Sequence, residues 1–184
     1  MKKVFFYASM ALLFSSASCD KGDDKTPEPV NEEEVITTLK VTLTPTSGTA
    51  VELKSFDADG DGPNSPALTV SSSLAANTVY SGAIELLNEL ESPAEDITDE
   101  VNEESDEHQI VFTLSGLSDV VIDNLNTDTN GMPLGTTFNL TTGAAESGTL
   151  TFTLRHEPTK PNNGTLAEVG GDTDIEVTFD VVVQ

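Results

Sequence analysis

Asp174-Ile175-Glu176-Val177-Thr178-Phe179-Asp180-Val181-Val182-Val183, near the carboxyl end, places a hydrophobe at every second position from Ile175 to Val183. A period of two sends those side chains to one face of a β-strand and Asp174, Glu176 and Asp180 to the other. The same rhythm runs through Leu150, Phe152 and Leu154, and through Ile110, Phe112 and Leu114. It also runs through Val35, Thr37, Leu39, Val41 and Leu43, which alternate with Ile36, Thr38, Lys40, Thr42 and Thr44 until Pro45 ends the run. Shorter candidates lie at 51–56, 67–71, 78–87, 120–125 and 136–142, giving nine strands. Abundant Thr and Val, regular turn signals and no alternating helices predict an all-β fold. The expected form is a mainly antiparallel, immunoglobulin-like β-sandwich of about nine strands in which two apolar faces bury each other.

One segment departs from this rhythm. Ser92-Pro93-Ala94-Glu95 sets a capping hydroxyl, a proline at the first helical position and a glutamate three residues after the cap. With Ile97 and Val101 four residues apart, this predicts one short acidic helix from about Pro93 to Glu107. Between Glu85 and Glu107 there are eleven acids and no basic residue. Like charges at helical spacing cost a few tenths of a kcal/mol per pair, so a cation or a basic partner would help this helix; the alternative is a solvated acidic face.

The chain has 184 residues, with 8 basic against 32 acidic side chains and a net charge of −24. That length suits one ordinary domain. A field of this sign repels nucleic acid and anionic lipid surfaces. Met1-Lys2-Lys3, the apolar run from Val4 to Phe14 and the small residues 15–18 have the layout of a secretory signal. Its removal takes two lysines and no acid, leaving a net charge of −26. Cys19, the only cysteine, follows at once. This arrangement resembles a bacterial lipoprotein lipobox, with Ser16 where leucine is usual; the resemblance implies that Cys19 is the lipidated first residue of the mature protein. A multiply acylated terminus holds a domain on a membrane at about 0.8 kcal/mol per buried methylene. The expected division is therefore a signal over 1–18, the lipidated Cys19 and an acidic tether over 19–32, and a sandwich domain over 33–184. In the tether, Lys21 with Asp23-Asp24 resembles the surface-export signal of Bacteroidetes lipoproteins, which implies an outer-membrane lipoprotein displayed at the cell surface rather than on the periplasmic face.

Two loops have the spacing of cation ligands. Asp57, Asp59 and Asp61, with Gly62 at the sixth place, match the opening half of a calcium loop, because alternate side chains in a tight turn converge. The twelfth place is Leu68 instead of a bidentate glutamate, so a carboxylate from elsewhere would have to complete the site; the alternative is an Asx-turn loop without metal. Asn126, Asp128 and Asn130, followed by Gly131, repeat the spacing, but Asn-Gly between two strands is foremost a hairpin turn.

The histidines number only two. His156 continues the row of Leu150, Phe152 and Leu154, and His108 begins the row of Ile110, Phe112 and Leu114, so each stands at the end of an inward-facing file. Asp106 and Glu107 precede His108, and Glu157 follows His156. If those strand ends meet at one pole, two imidazoles and a carboxylate can bind zinc or copper(II); otherwise each is a hydrogen-bonded core residue. No G-x-S-x-G elbow, H-E-x-x-H helix or phosphate-cradling glycine loop occurs, so the expectation is a protein that is not an enzyme.

The motifs Cys19-Asp20-Lys21, Asn31-Glu32-Glu33-Glu34-Val35-Ile36-Thr37-Thr38, Glu85-Leu86-Leu87-Asn88-Glu89, Asp106-Glu107-His108-Gln109 and Leu154-Arg155-His156-Glu157-Pro158 together resemble a family of small Bacteroidetes lipoproteins, mainly flavobacterial. That family carries the label of a type 1 periplasmic-binding fold superfamily. Such a fold needs two alternating α/β lobes, whereas the period of two predicts a sandwich. The resemblance implies an envelope lipoprotein working beside a TonB-dependent outer-membrane receptor, with both histidines in motifs typical of the group. The expected function is a non-catalytic binding module that captures a ligand or metal ion near that transporter. The alternative is a structural or adhesive surface lipoprotein with calcium-stiffened loops.

Overall fold

The computed structural model describes residues 34–60 and 62–184. The signal over 1–18, Cys19, the tether over 19–32 and Asp61 lie outside the described residues. Among the described residues, ten strands form two sheets, and every pairing between these strands is antiparallel. The larger sheet holds β1 (Thr38–Pro45), β2 (Val51–Phe56), β3 (Ala67–Val70), β4 (Val79–Asn88), β7 (Val121–Asp123) and β8 (Thr137–Thr141) in the order β3-β2-β1-β4-β8-β7. The two-residue β5 (Glu95–Asp96) is added at the end of β4. The smaller sheet holds β6 (His108–Ser115), β9 (Glu146–His156) and β10 (Asp172–Val183) in the order β10-β9-β6.

The alternating rows produce the core. Leu39, Val41 and Leu43 of β1 are fully buried, as are Leu150, Phe152 and Leu154 of β9, and Val177, Phe179, Val181 and Val183 of β10 join the same cluster. On the inner face of the smaller sheet Phe152 stands edge-on to Phe112 and Phe179, with ring centroids 5.6 and 6.1 Å away, and Phe138 of the larger sheet meets Phe112 at 4.8 Å across the layers. The fold is thus an all-β sandwich, as the period of two predicts.

Three local expectations need correction. Val35 does not continue the inward row: it is 44% exposed, β1 begins at Thr38, and Thr37 and Thr38 are both buried. Their hydroxyls explain the break in alternation, since Thr37 Oγ1 donates to the Leu87 carbonyl and Thr38 Oγ1 to Glu89 Oε1. The helix, α1 (Ile97–Glu103), starts four residues later than the Ser92-Pro93 signal predicts. Glu95 and Asp96 are held extended against Asn88 and Leu87, so Asp96 becomes the cap and accepts from the Thr98 N–H at 3.0 Å. The expected stripe of Ile97 and Val101 is buried all the same. A second short helix, α2 (Leu166–Val169), and strand β5 carry no periodic signal and are additions to the nine strands and one helix expected.

Candidate metal centre

The two histidine-bearing strand ends meet. His108 at the start of β6 and His156 at the end of β9 are paired in register, and Asp172 of β10 lies on the other side of His156. The imidazole centroids are 4.7 Å apart, and both residues are buried. In-phase alternation accounts for this, because each ring continues an inward file of hydrophobes to the end of the smaller sheet.

The acids that join them come from elsewhere in the chain. Glu34, just ahead of β1, brings Oε1 to 3.3 Å from His108 Nε2, with its side chain 8% exposed. Asp174 of β10 brings Oδ1 to 3.8 Å from His156 Nδ1, with its side chain 1% exposed. Strict alternation would turn Asp174 outward with Glu176. Pairing between β10 and β9 instead shifts between Thr173 and Ile175, and Asp174 is the extra residue of that bulge. A bulge re-aims the side chain of its inserted residue, which is how this aspartate reaches the buried pole. One donor atom from each of Glu34, His108, His156 and Asp174 lies within 4.8 Å of the others.

Of the acids adjacent to the histidines in sequence, Glu107 places Oε2 3.9 Å from His156 Nε2 while remaining 57% exposed. Asp106 and Glu157 are outside the cluster. Glu157 has a φ of 48°, and its N–H donates to the Glu107 carbonyl, so this pair closes the chain over the site with backbone atoms.

The electrostatics of the pole are specific. His108 Nδ1 lies 3.1 Å from the Glu104 carbonyl oxygen, which can only accept, so Nδ1 carries the proton. In the neutral ring Nε2 then presents its lone pair toward Glu34 Oε1, and the geometry is not that of a hydrogen bond. Glu34 Oε2 is likewise buried without a hydrogen-bond partner. Two lone-pair atoms at this distance in a desolvated site repel each other unless a proton or a metal cation lies between them. The donor set of two nitrogens and two oxygens fits zinc. Bonds of 2.0–2.1 Å in a tetrahedron put adjacent ligand atoms about 3.3 Å apart, close to the observed 3.3 and 3.8 Å. Square-planar copper(II) brings neighbouring donors to about 2.8 Å, a poorer match.

A cleft of about 240 Å³ reaches the two acids, lined among others by Glu34, Asp57, Asp174 and Glu176. Four carboxylates around one opening focus a negative potential that concentrates cations.

The calcium-like loops behave differently from each other. In the first, Asp57 Oδ1 accepts from the Asp59 N–H at 3.1 Å, an Asx-turn, and Asp59 Oδ2 accepts from Asn64 Nδ2 at 2.5 Å. Asp59 Oδ1 is buried without a hydrogen bond. In the second, Asp128 Oδ1 accepts from the N–H groups of Asn130 and Met132, and Lys160 Nζ lies 3.1 Å from Oδ2. The same ammonium donates to the carbonyls of Ser105 and His108 at 2.8 and 2.7 Å, so three oxygens there surround a lysine rather than a metal ion. Burial alone would raise the Asp128 pKa, but the Met132 N–H, Lys160 and the Asn130 N–H outweigh it and hold the carboxyl below its usual range.

Glu34 and Asp174 escape sequence reasoning. Glu34 belongs to an acidic run at the domain boundary, and Asp174 follows the polar phase of its strand. The only available signal is the Gly170-Gly171-Asp172 approach to β10, where both glycines have positive φ and mark irregular chain ahead of the bulge.

Comparisons with protein-family models, curated proteins and solved structures give no match to this chain. The functional reading therefore rests on the geometry. Among the described residues, no helix is long and apolar enough to cross a membrane.

Proposed function

We propose that this chain is a non-catalytic, metal-capturing lipoprotein of the bacterial envelope, in which Glu34, His108, His156 and Asp174 hold one transition-metal ion, zinc foremost. The observation that carries this reading is the buried His108 Nε2 facing the buried Glu34 Oε1 at 3.3 Å in a geometry that is not that of a hydrogen bond. The Glu104 carbonyl beside His108 Nδ1 supports this reading, since a metal-bound imidazole donates its other ring N–H to an outer acceptor. With no thiol after Cys19 the domain has no thiolate ligand, and the donors gathered at the pole are nitrogen and oxygen, which suit zinc or copper(II). The acidic cleft supports capture from solution. The signal over 1–18 and Cys19 support a lipid anchor, Lys21 with Asp23-Asp24 supports display at the outer-membrane surface, and the resemblance to flavobacterial lipoproteins supports a place beside a TonB-dependent transporter.

The test is metal analysis of the purified protein after dialysis against trace zinc. One equivalent retained by the wild type, and lost in both His108→Ala and His156→Ala variants that still fold, supports the reading. Wild-type protein that retains no zinc or copper would falsify it. Mass spectrometry of the mature amino terminus tests the anchor, and an unmodified Cys19 rejects it.

The buried, unpartnered Asp59 Oδ1 favours a second reading, a structural or adhesive surface lipoprotein with calcium-stiffened loops. It requires thermal stability that rises with calcium and loses that response in Asp59→Ala.

A further inference from the structure

The larger sheet is six strands wide along its path and the smaller only three, so the smaller leaves the inner face of β3 uncovered. Leu68 and Val70 of β3 lie opposite Ser55 and Leu53 of β2, which are buried. Cross-strand partners share a face of the pleat, so both side chains point to the core side. They are nonetheless 53% and 37% exposed. The neighbour of β3 on that side is β10, the outer strand of the smaller sheet, and no ladder joins the two. Between them runs a groove made of two clefts. One, of about 330 Å³, is lined by Pro66, Leu68, Glu176 and Val177; the other, of about 310 Å³, by Val70, Ser72, Asp180 and Val182.

The free edge of β10 offers hydrogen bonds to a further strand. At its end the Val182 carbonyl accepts from the Leu74 N–H, and the Gln184 N–H donates to the Leu74 carbonyl, so these groups point away from β9. Backbone groups alternate in direction along a strand, so Glu176, Thr178 and Asp180 send their N–H and C=O the same way. Among the described residues no strand pairs with β10 on that side.

We propose that this edge binds an extended segment of another polypeptide, one in which lysine or arginine alternates with aliphatic residues, as an added strand beside β10. The aliphatic side chains cover Leu68 and Val70, and the cationic ones stand beside the exposed Glu176 and Asp180 on the outer face. The charges are complementary. Among the described residues neither cleft is lined by a lysine or arginine, and the groove runs at one end into the cleft that carries Glu34, Asp57 and Asp174. The same acids disfavour a second copy of this chain as the occupant. Two β10 edges side by side would set Glu176 and Asp180 of one against those of the other, and like charges on neighbouring strands are destabilising. The proposal goes beyond metal capture and does not depend on it.

The experiment titrates the purified protein with a fluorescently labelled peptide of about seven residues alternating Lys and Val, read by anisotropy. Two matched peptides, methylated at the backbone nitrogen of every Val or of every Lys, keep its charge while each blocks hydrogen bonding along one edge. The unmodified peptide is expected to bind, one of the methylated pair to bind about tenfold more weakly, and the amide NMR signals of Glu176, Thr178 and Asp180 to shift. Thr178→Pro removes an outward N–H without breaking the ladder to β9, a position where an edge strand tolerates proline, and should weaken binding by a similar factor. Glu176→Gln/Asp180→Asn, at exposed positions, should weaken it severalfold; circular dichroism checks the fold of both variants, and the second decides alone if the first does not fold. The proposal is overturned if the peptide does not bind. It is overturned equally if both methylated peptides bind as well as the parent, which means attraction by net charge only. It also falls if sedimentation shows a dimer of the chain that Thr178→Pro dissolves, which makes a second copy the occupant.

Discussion

His108 and His156 sit directly opposite each other on adjacent antiparallel strands, their rings 4.7 Å apart and inclined at 32°, sealed inside the end of the smaller sheet. Burying two imidazoles together with the carboxylates of Glu34 and Asp174 is expensive unless each charge is compensated. The behaviour of this pole under metal, mutation and pH is where the proposals are most exposed to test.

Zinc should stabilise the fold through the buried quartet. At free zinc 100 times the dissociation constant, linkage gives about 2.7 kcal/mol, or roughly 5 to 11 °C in Tm for a domain of this size. Glu34→Gln and Asp174→Asn should each remove most of that increment, and chelator should return the wild type to the metal-free Tm. Scanning calorimetry with and without zinc checks this; an increment unchanged in Glu34→Gln sinks the assignment of that ligand.

Lys160 is the cation of the neighbouring loop, and its removal strands a charge. In Lys160→Met the buried Asp128 carboxylate loses its ammonium, and the carbonyls of Ser105 and His108 lose their donor. The expected loss is about 3 kcal/mol, typical of breaking a buried pair from one side. Adding Asp128→Asn to Lys160→Met should recover part of it. Urea unfolding of the two single variants and the double variant measures the coupling.

Asp128 also predicts a pH dependence. Its folded pKa lies below its ordinary value, so its contribution is complete above the unfolded value and disappears as pH falls through the folded one. The stability gap between wild type and Asp128→Asn should therefore stay constant from neutral pH down to about 5 and close only in the acid range below about 4. A gap that closes nearer neutrality contradicts the depressed value.

Glu100 behaves in the opposite sense. Its folded pKa is raised, so the ionised carboxylate destabilises the metal-free protein above that value and does no harm once protonated. Glu100→Gln should raise the metal-free Tm at pH 7, on the scale of a few tenths of a kcal/mol per relieved like-charge contact, and the gain should vanish in acid. Thermal melts of the wild type and Glu100→Gln at pH 7 and in acid check this.

Gly82 tests the packing between the sheets. A Cβ at this position would run into the ring of Phe138, which itself packs against Phe112 at 4.8 Å. Gly82→Ala should cost about 1–3 kcal/mol through overpacking, read from the denaturant midpoint at unchanged slope.

The faces of the long strands were legible from alternation alone, since side chains two apart must share a side of the pleat. So was the burial of both histidines, because each extends a row of hydrophobes that ends fully buried. The helix was legible as a stripe, Ile97 with Val101, but its start was not. The pairing of Glu95 and Asp96 with the end of β4 overrode a sound local capping signal. Val35 failed for a similar reason, as the hydroxyl bonds of Thr37 and Thr38 to neighbouring strand β4 and its flank broke the alternation there.

The order of residues by itself determined two amphipathic layers, an acidic surface and two imidazoles facing inward at the ends of their strands. Only the tertiary structure decided that those ends are paired with each other, and which acids complete the quartet. Periodicity records the side of a strand on which a residue stands, not the strand that lies beside it. A single-residue bulge reverses that side without altering the pattern, and this turns Asp174 inward. Glu34 arrives from more than seventy residues away because strand order, which local composition does not encode, brings the entrance of β1 to the histidine pole.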